Sequence, residues 1–95
     1  MNTKQRAFLS SMATKLKPFT QIGKEGLKDT TFQHIDSALA ANELVKVKIL
    51  DKETFPVRET SAEIAEKTNS EVVRIIGGTI VLYRPAEEPV IELPK

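Results

Sequence analysis

Two adjacent glycines, Gly77 and Gly78, separate two short β-prone runs, Glu71–Ile76 and Thr79–Arg84, and so dictate a hairpin. Paired glycines supply the positive φ values that a tight two-residue turn between strands requires. The strands of a hairpin are antiparallel neighbours, which commits this part of the chain to a sheet. Upstream, Glu43–Leu50 alternates Val45, Val47 and Ile49 with Lys46 and Lys48, a period of two with heavy β-branching. One face of that strand belongs to a core and the other is basic, with the two lysines roughly 6 to 7 Å apart along it. The short apolar run Phe19–Ile22 adds a further strand.

Helical periodicity fills the intervals. A first helix is predicted over Lys4–Leu16, capped by Thr3, with Phe8, Leu9, Met12, Ala13 and Leu16 as its buried stripe and Pro18 ending it. A second runs from Asp29 or Thr30 to Ala41, burying Phe32, Ile35, Ala38 and Leu39, with Asn42 as C-cap. Asp51–Pro56 reads as a loop. A third helix, Arg58–Thr68, packs through Ala62, Ile64 and Ala65, with Thr60 or Ser61 as a cap within it. The order helix, strand, helix, strand, helix, strand, strand predicts an α/β (α+β) fold built on a mixed four-stranded sheet. Strands separated by helices favour parallel neighbours, whereas the closing hairpin is antiparallel. Pro85, Pro89 and Pro94 alternate with Glu87, Glu88 and Glu92, so residues 85–95 read as a loosely held Pro/Glu-rich tail beyond a single domain over residues 1–84.

Ninety-five residues are enough for one modest core. Cysteine is absent, which excludes disulfides and thiolate metal sites. No apolar run reaches the length of a membrane span, and the default expectation is a cytoplasmic location. The formal net charge is only +1, but its distribution is uneven. Residues 1–28 carry Lys4, Arg6, Lys15, Lys17, Lys24 and Lys28 against Glu25 alone, and the remainder of the chain is mildly acidic. A basic surface of this kind suits a polyanion.

Within that basic segment, Gly23-Lys24-Glu25-Gly26 joins the first strand to the second helix. Glycines without side chains let phosphate oxygens approach main-chain N–H groups. Lys24 adds charge, and the helix start adds the positive end of a dipole. Alone, a G-x-x-G turn is a weak signal, since ordinary turns and caps use it too. His34 is the only histidine and has no cysteine or second histidine beside it, so it reads as solvent-facing rather than as a metal ligand. Asp36, Glu43 and Asp51 form no pair spaced for hydrolysis, and Ser10 and Ser11 lie in no nucleophile motif. Tyr83 and Phe19 are read as core aromatics, which makes an aromatic base-stacking platform a poor fit.

Four segments together, Gln21–Leu27, Asn42–Lys48, Val72–Gly77 and Val81–Arg84, resemble the CRM domain (chloroplast RNA splicing and ribosome maturation), in particular its stand-alone bacterial YhbY form. The resemblance extends from about Thr3 to Arg84. It implies a fold similar to the C-terminal domain of translation initiation factor three, an RNA-binding role on precursors of the large ribosomal subunit, and no enzymatic activity or cofactor. Its glycine loop matches Gly23–Gly26 and is comparable in chemistry to the loop with which KH domains clamp a nucleic-acid backbone. In KH domains that loop joins two helices, whereas here it joins a strand to a helix. The expected RNA-binding residues are therefore Gly23, Lys24, Glu25, Gly26 and Lys28, with Glu25 turned outward or toward Lys24 or Lys28. Lys15 and Lys17 are expected to extend the patch. Lys46 and Lys48 admit two readings, an extension of the same patch or a solvated sheet face whose lysines discourage edge pairing. A protein–protein adaptor with incidental RNA contact stands as the alternative function.

Overall fold

The computed structural model describes all residues, Met1–Lys95, and contains α1 (Thr3–Ala13), β1 (Thr20–Ile22), α2 (Asp29–Asn42), β2 (Leu44–Ile49), α3 (Val57–Thr68), β3 (Glu71–Ile76) and β4 (Thr79–Tyr83). The element order is the one the periodicities predict. The four strands form one sheet in the order β1-β2-β4-β3. β1 and β2 are parallel, and β4 runs antiparallel to both of its neighbours, β2 and β3. The hairpin thus places β4 between β2 and β3, so the α3 crossover returns the chain to the sheet one strand beyond β2.

Each face of the sheet has its own core. On one face α2 and α3 bury Ile35, Leu39 and Ile64 against Ile22, Val45, Val47, Ile49, Ile80 and Leu82. On the other, α1 sets Leu9 and Ala13 against Leu44, Val73, Val81 and Tyr83. The lysine-bearing face of β2 is therefore covered at one end by α1 and is basic only over the rest.

Each helix differs locally from the sequence reading. The cap of α1 is Asn2, whose side-chain oxygen accepts the Gln5 N–H while Gln5 Oε1 accepts the Asn2 N–H, a reciprocal capping box. The helix stops at Ala13, ahead of Leu16, where Thr14 bonds its hydroxyl back to the Ser11 carbonyl. Only Leu9 and Ala13 of its expected stripe are buried; Phe8, Met12 and Leu16 stay between 37% and 39% exposed. In α2, Asn42 is the last helical residue and bonds the Ala38 carbonyl, and the cap is Glu43 at φ 66°. In α3, Thr60 and Ser61 are not caps. They lie on the buried face with Ile64 and Thr68, and Ala62 is exposed. Short hydroxyl side chains fit that face because they bond within the helix, Ser61 to the Arg58 carbonyl and Thr68 to that of Ile64.

The C-terminal residues are not loosely held. Glu43, 2% exposed, accepts the N–H groups of Ala86, Val90 and Ile91, and Ile91 and Leu93 pack onto the α1-side core. The Gln5 amide also donates to the Pro94 carbonyl. A buried carboxylate that receives three backbone donors is stabilised in its charged form. The Ala86 N–H, with those of Ile91 and Val90, holds the Glu43 carboxyl below its ordinary range, against the opposing effect of desolvation.

Candidate nucleic-acid interface

The C-terminal ends of β1, β2 and β3 point the same way, so the loops that follow them converge. The Leu50 N–H continues the parallel ladder by donating to the Ile22 carbonyl at 2.9 Å, and the Ile49 N–H donates to the Gly78 carbonyl at 2.7 Å. These bonds draw Gly23–Lys28, Leu50–Pro56 and the hairpin turn to one end of the sheet. Gly78 is essential to that approach, because a Cβ there would stand 2.8 Å from the Ile49 carbonyl oxygen.

The Gly23–Gly26 segment is a tight turn, closed by the Gly26 N–H donating to the Gly23 carbonyl at 3.0 Å. Its two glycines have different grounds. Gly26 sits at φ +72°, and a Cβ on it would meet the Phe55 ring at 2.5 Å, so the fold itself demands glycine there. Gly23 has no positive φ, and a Cβ would find only Leu50 Cδ1, at 3.9 Å, an ordinary contact. The N–H groups of Lys24 and Glu25 donate to no protein acceptor. Directly after the turn, α2 begins without a side-chain cap. Its cap position is Lys28, which has no acceptor to offer, and its backbone N–H donates to the Thr31 hydroxyl. The first-turn amides of α2 thus add unsatisfied donors and the positive dipole end.

Of the expected residues, the structure gathers some and separates others. Lys24 is exposed and forms no ion pair. Glu25 turns toward Lys28, with 3.5 Å between charged atoms. Both side chains are mostly in water, so this pair is weak and easily exchanged for another anion. Lys48 lies on the sheet face opposite Gln21 in register, on the strand that leads to Leu50. Lys15 and Lys17 precede β1 and lie at its other end, about 20 Å from the turn along an extended strand. Lys46 belongs with them: it is half-buried, and its ammonium donates to the Leu16 carbonyl at 2.9 Å. The single patch expected from sequence is therefore two groups, Lys24, Lys28 and Lys48 at the loop end, and Lys15, Lys17 and Lys46 at the start of β1. Arg6, counted in the basic excess, is committed to the Val72 and Val73 carbonyls.

Sequence reasoning missed Leu50, which it read only as the end of a strand, and Lys52 and Phe55, which it assigned only to a loop. The Phe55 ring under Gly26 and Lys52 beside Gly78 become part of the site only through the convergence of loops. Within that loop the Thr54 hydroxyl and N–H hold the Asp51 carboxyl below its ordinary range. The aromatic side chains are engaged elsewhere. Tyr83 is buried, which with the nearby Glu43 and Glu71 raises its hydroxyl pKa, and Phe19 stacks obliquely on the exposed His34 ring at 5.0 Å. The largest hollow, about 640 Å³, lies far from the glycine turn, between the tail, α1 and Tyr83.

Comparison with known proteins agrees with this fold. The family model for the CRS1/YhbY (CRM) domain matches residues 1–84. The chain is 36% identical over 95 residues to an "RNA-binding protein" of Haemophilus influenzae, covering 100% of this chain and 96% of that one. It is 39% identical over 92 residues to "Probable RNA-binding protein YqeI" of Bacillus subtilis, covering 96% of each. The solution structure of the hypothetical protein SAV1595 from Staphylococcus aureus superposes with a TM-score of 0.83 at 38% identity, covering 99% of both chains.

Proposed function

Because the chain belongs to the CRS1/YhbY (CRM) domain family, we propose that it is a non-catalytic RNA-binding protein whose phosphate contacts centre on the Gly23–Gly26 turn. The observation that carries this reading is the contrast between the two glycines. Gly26 is required by the backbone and by Phe55, whereas the bare backbone at Gly23 serves no packing need and lies open beside the free N–H groups of Lys24 and Glu25. Two main-chain donors, an unpaired lysine and an uncapped helix start form the donor set that a phosphate oxygen accepts from. Lys28 joins them when Glu25 yields to the incoming anion. The relatives named as RNA-binding proteins support the same ligand class.

The RNA implied by the family resemblance is ribosomal RNA in a precursor of the large subunit, in the cytoplasm, with Lys15, Lys17 and Lys46 as a second, more distant point of phosphate contact. Neutralising about four phosphates predicts a logarithmic salt slope near −3, so affinity falls roughly fifty-fold between 50 and 200 mM salt. Titration of a ribosomal RNA transcript across that range tests the reading, and a flat response would remove it. In the same assay, replacing Lys24 and Lys28 together with Glu weakens binding while the thermal unfolding curve stays in place. The exposed Phe8 and Met12 of α1, with Leu16 just beyond it, favour a second reading, an adaptor that meets a protein partner. Crosslinking in cells separates the two, since the adaptor yields protein crosslinks and few to RNA.

A further inference from the structure

α1 covers only part of its sheet face, over Leu44, Val81 and Tyr83. The part left open lies at the glycine-loop end. There the registers align one residue from every strand: Gln21 pairs with Lys48, Lys48 with Thr79, and Thr79 with Ile76. The core residues next to them, Ile22, Val47, Ile49 and Ile80, point to the opposite face, so alternation turns this whole row outward. At the spacing of neighbouring strands the row is about 14 Å long. Leu50 follows the same alternation, and its Cδ1 lies beside Gly23.

Leu50 and Ile76 are 53% and 49% exposed, the most exposed large apolar side chains before the tail. Ile76 closes one end of the row and Leu50 lies just beyond Lys48 on the glycine-turn side, so the two aliphatic groups border an amide, an ammonium and a hydroxyl. Phosphate alone has no use for such a surface, because it gains nothing from a leucine or an isoleucine. Unpaired nucleobases do, since they offer apolar faces to aliphatic side chains and hydrogen-bonding edges to Gln, Lys and Thr. In a duplex those faces are stacked and the edges paired.

We infer that the row Gln21, Lys48, Thr79 and Ile76, with Leu50, seats unpaired bases of the RNA strand whose backbone is held at Gly23–Gly26, and that the ligand is single-stranded or looped RNA. This rests on the phosphate-binding reading of the glycine turn and adds the ligand's structural class to it.

The test pairs the full chain and its Leu50→Ala/Ile76→Ala variant with two probes, a short unstructured RNA and the duplex of that strand with its complement. The variant binds the single strand about tenfold more weakly, from lost apolar contact, and the duplex within about twofold of the original. An abasic scan of the single strand provides an arm that leaves the protein untouched. One or two abasic positions weaken the original chain and have no further effect on the variant. If the variant's melting temperature falls, Leu50→Gln/Ile76→Thr, which keeps the β-branch at position 76, repeats the comparison. Equal losses on both probes, no loss on either, or a flat abasic scan overturns the inference. The Lys24→Glu/Lys28→Glu protein distinguishes the failures. If it loses both RNAs while the abasic scan is flat, the glycine-turn reading stands and the base row falls; if it binds both undiminished, the turn reading falls and the base row with it.

Discussion

Where β2 begins, polar groups are engaged inside the protein: Glu43 holds three tail N–H groups, and Arg84 donates to the Asp36 side chain and to the Thr68 carbonyl. Where β2 ends, Lys24, Lys48 and Lys52 have no ion-pair partner, and Lys28 has only a Glu25 side chain that is 87% exposed. The first end closes the fold through these contacts. The second is tied down by backbone bonds between loops, and its side chains contribute little to stability, so they are free to serve binding. On the reading proposed above, the main stabilising contacts and the glycine-turn site lie at opposite ends of one six-residue strand, with Lys15, Lys17 and Lys46 on the stabilised side.

The largest effect expected from this division comes from removing residues 85–95. That deletion uncovers the α1-side core where Ile91 and Leu93 sit and deprives Glu43 of its donors. The apolar loss alone is about 2 kcal/mol, equivalent to a melting temperature lower by about 10 °C. RNA affinity, measured where the shortened chain is still folded, changes by less than about twofold. An unchanged melting temperature would break the comparison, because the tail would then be a passenger.

A sharper contrast lies within the glycine turn. Gly26→Ala forces a side chain into a positive-φ position against Phe55 and costs about 1–2 kcal/mol of stability by denaturant titration. Gly23→Ala changes stability by under about 0.5 kcal/mol. It nonetheless weakens RNA binding by about fivefold, because the methyl group stands where a phosphate approaches. Equal destabilisation by both substitutions would show that Gly23 is as structural as its partner.

The elements were legible because their signals are local. Gly77-Gly78 marks the hairpin, alternation marks β2, and the spacing of Ile35 and Leu39 marks α2. The buried face of α3 was not legible, because Thr60, Ser61 and Thr68 are polar by type, and Ser61 and Thr68 satisfy their hydroxyls within the helix. The docked tail was missed for a related reason. Its composition of proline and glutamate signals disorder, and its anchor, Glu43, lies more than 40 residues away as a single acidic residue in an otherwise apolar and basic stretch. The glycine turn was legible as a loop that tolerates close approach. Leu50 and Phe55 were not, because they join the site only when β1 and β2 align in parallel, and that register is a property of the assembled sheet.

The smallest effect is one of pH, and it compares the carboxylates on either side of β2. Glu43 and Asp51 both have folded pKa values below their ordinary ones, 4.5 and 3.8. For a carboxyl lowered by folding, the stabilisation is fully present above the ordinary value and disappears as pH falls through the folded one. Melting temperature should therefore be flat from about pH 6 to 8 and decline below about pH 4.5. Glu43→Gln lowers it on the plateau, and the gap to the unaltered chain closes as the medium becomes more acidic. Asp51→Asn produces a narrower gap, because its partner, Thr54, is three residues away and the bond closes only a short exposed loop. The Glu43 bonds, in contrast, join segments more than 40 residues apart. If the Asp51 gap proves the wider of the two, the loop end contributes more to stability than the latched end, and the assignment of roles along β2 must be reversed.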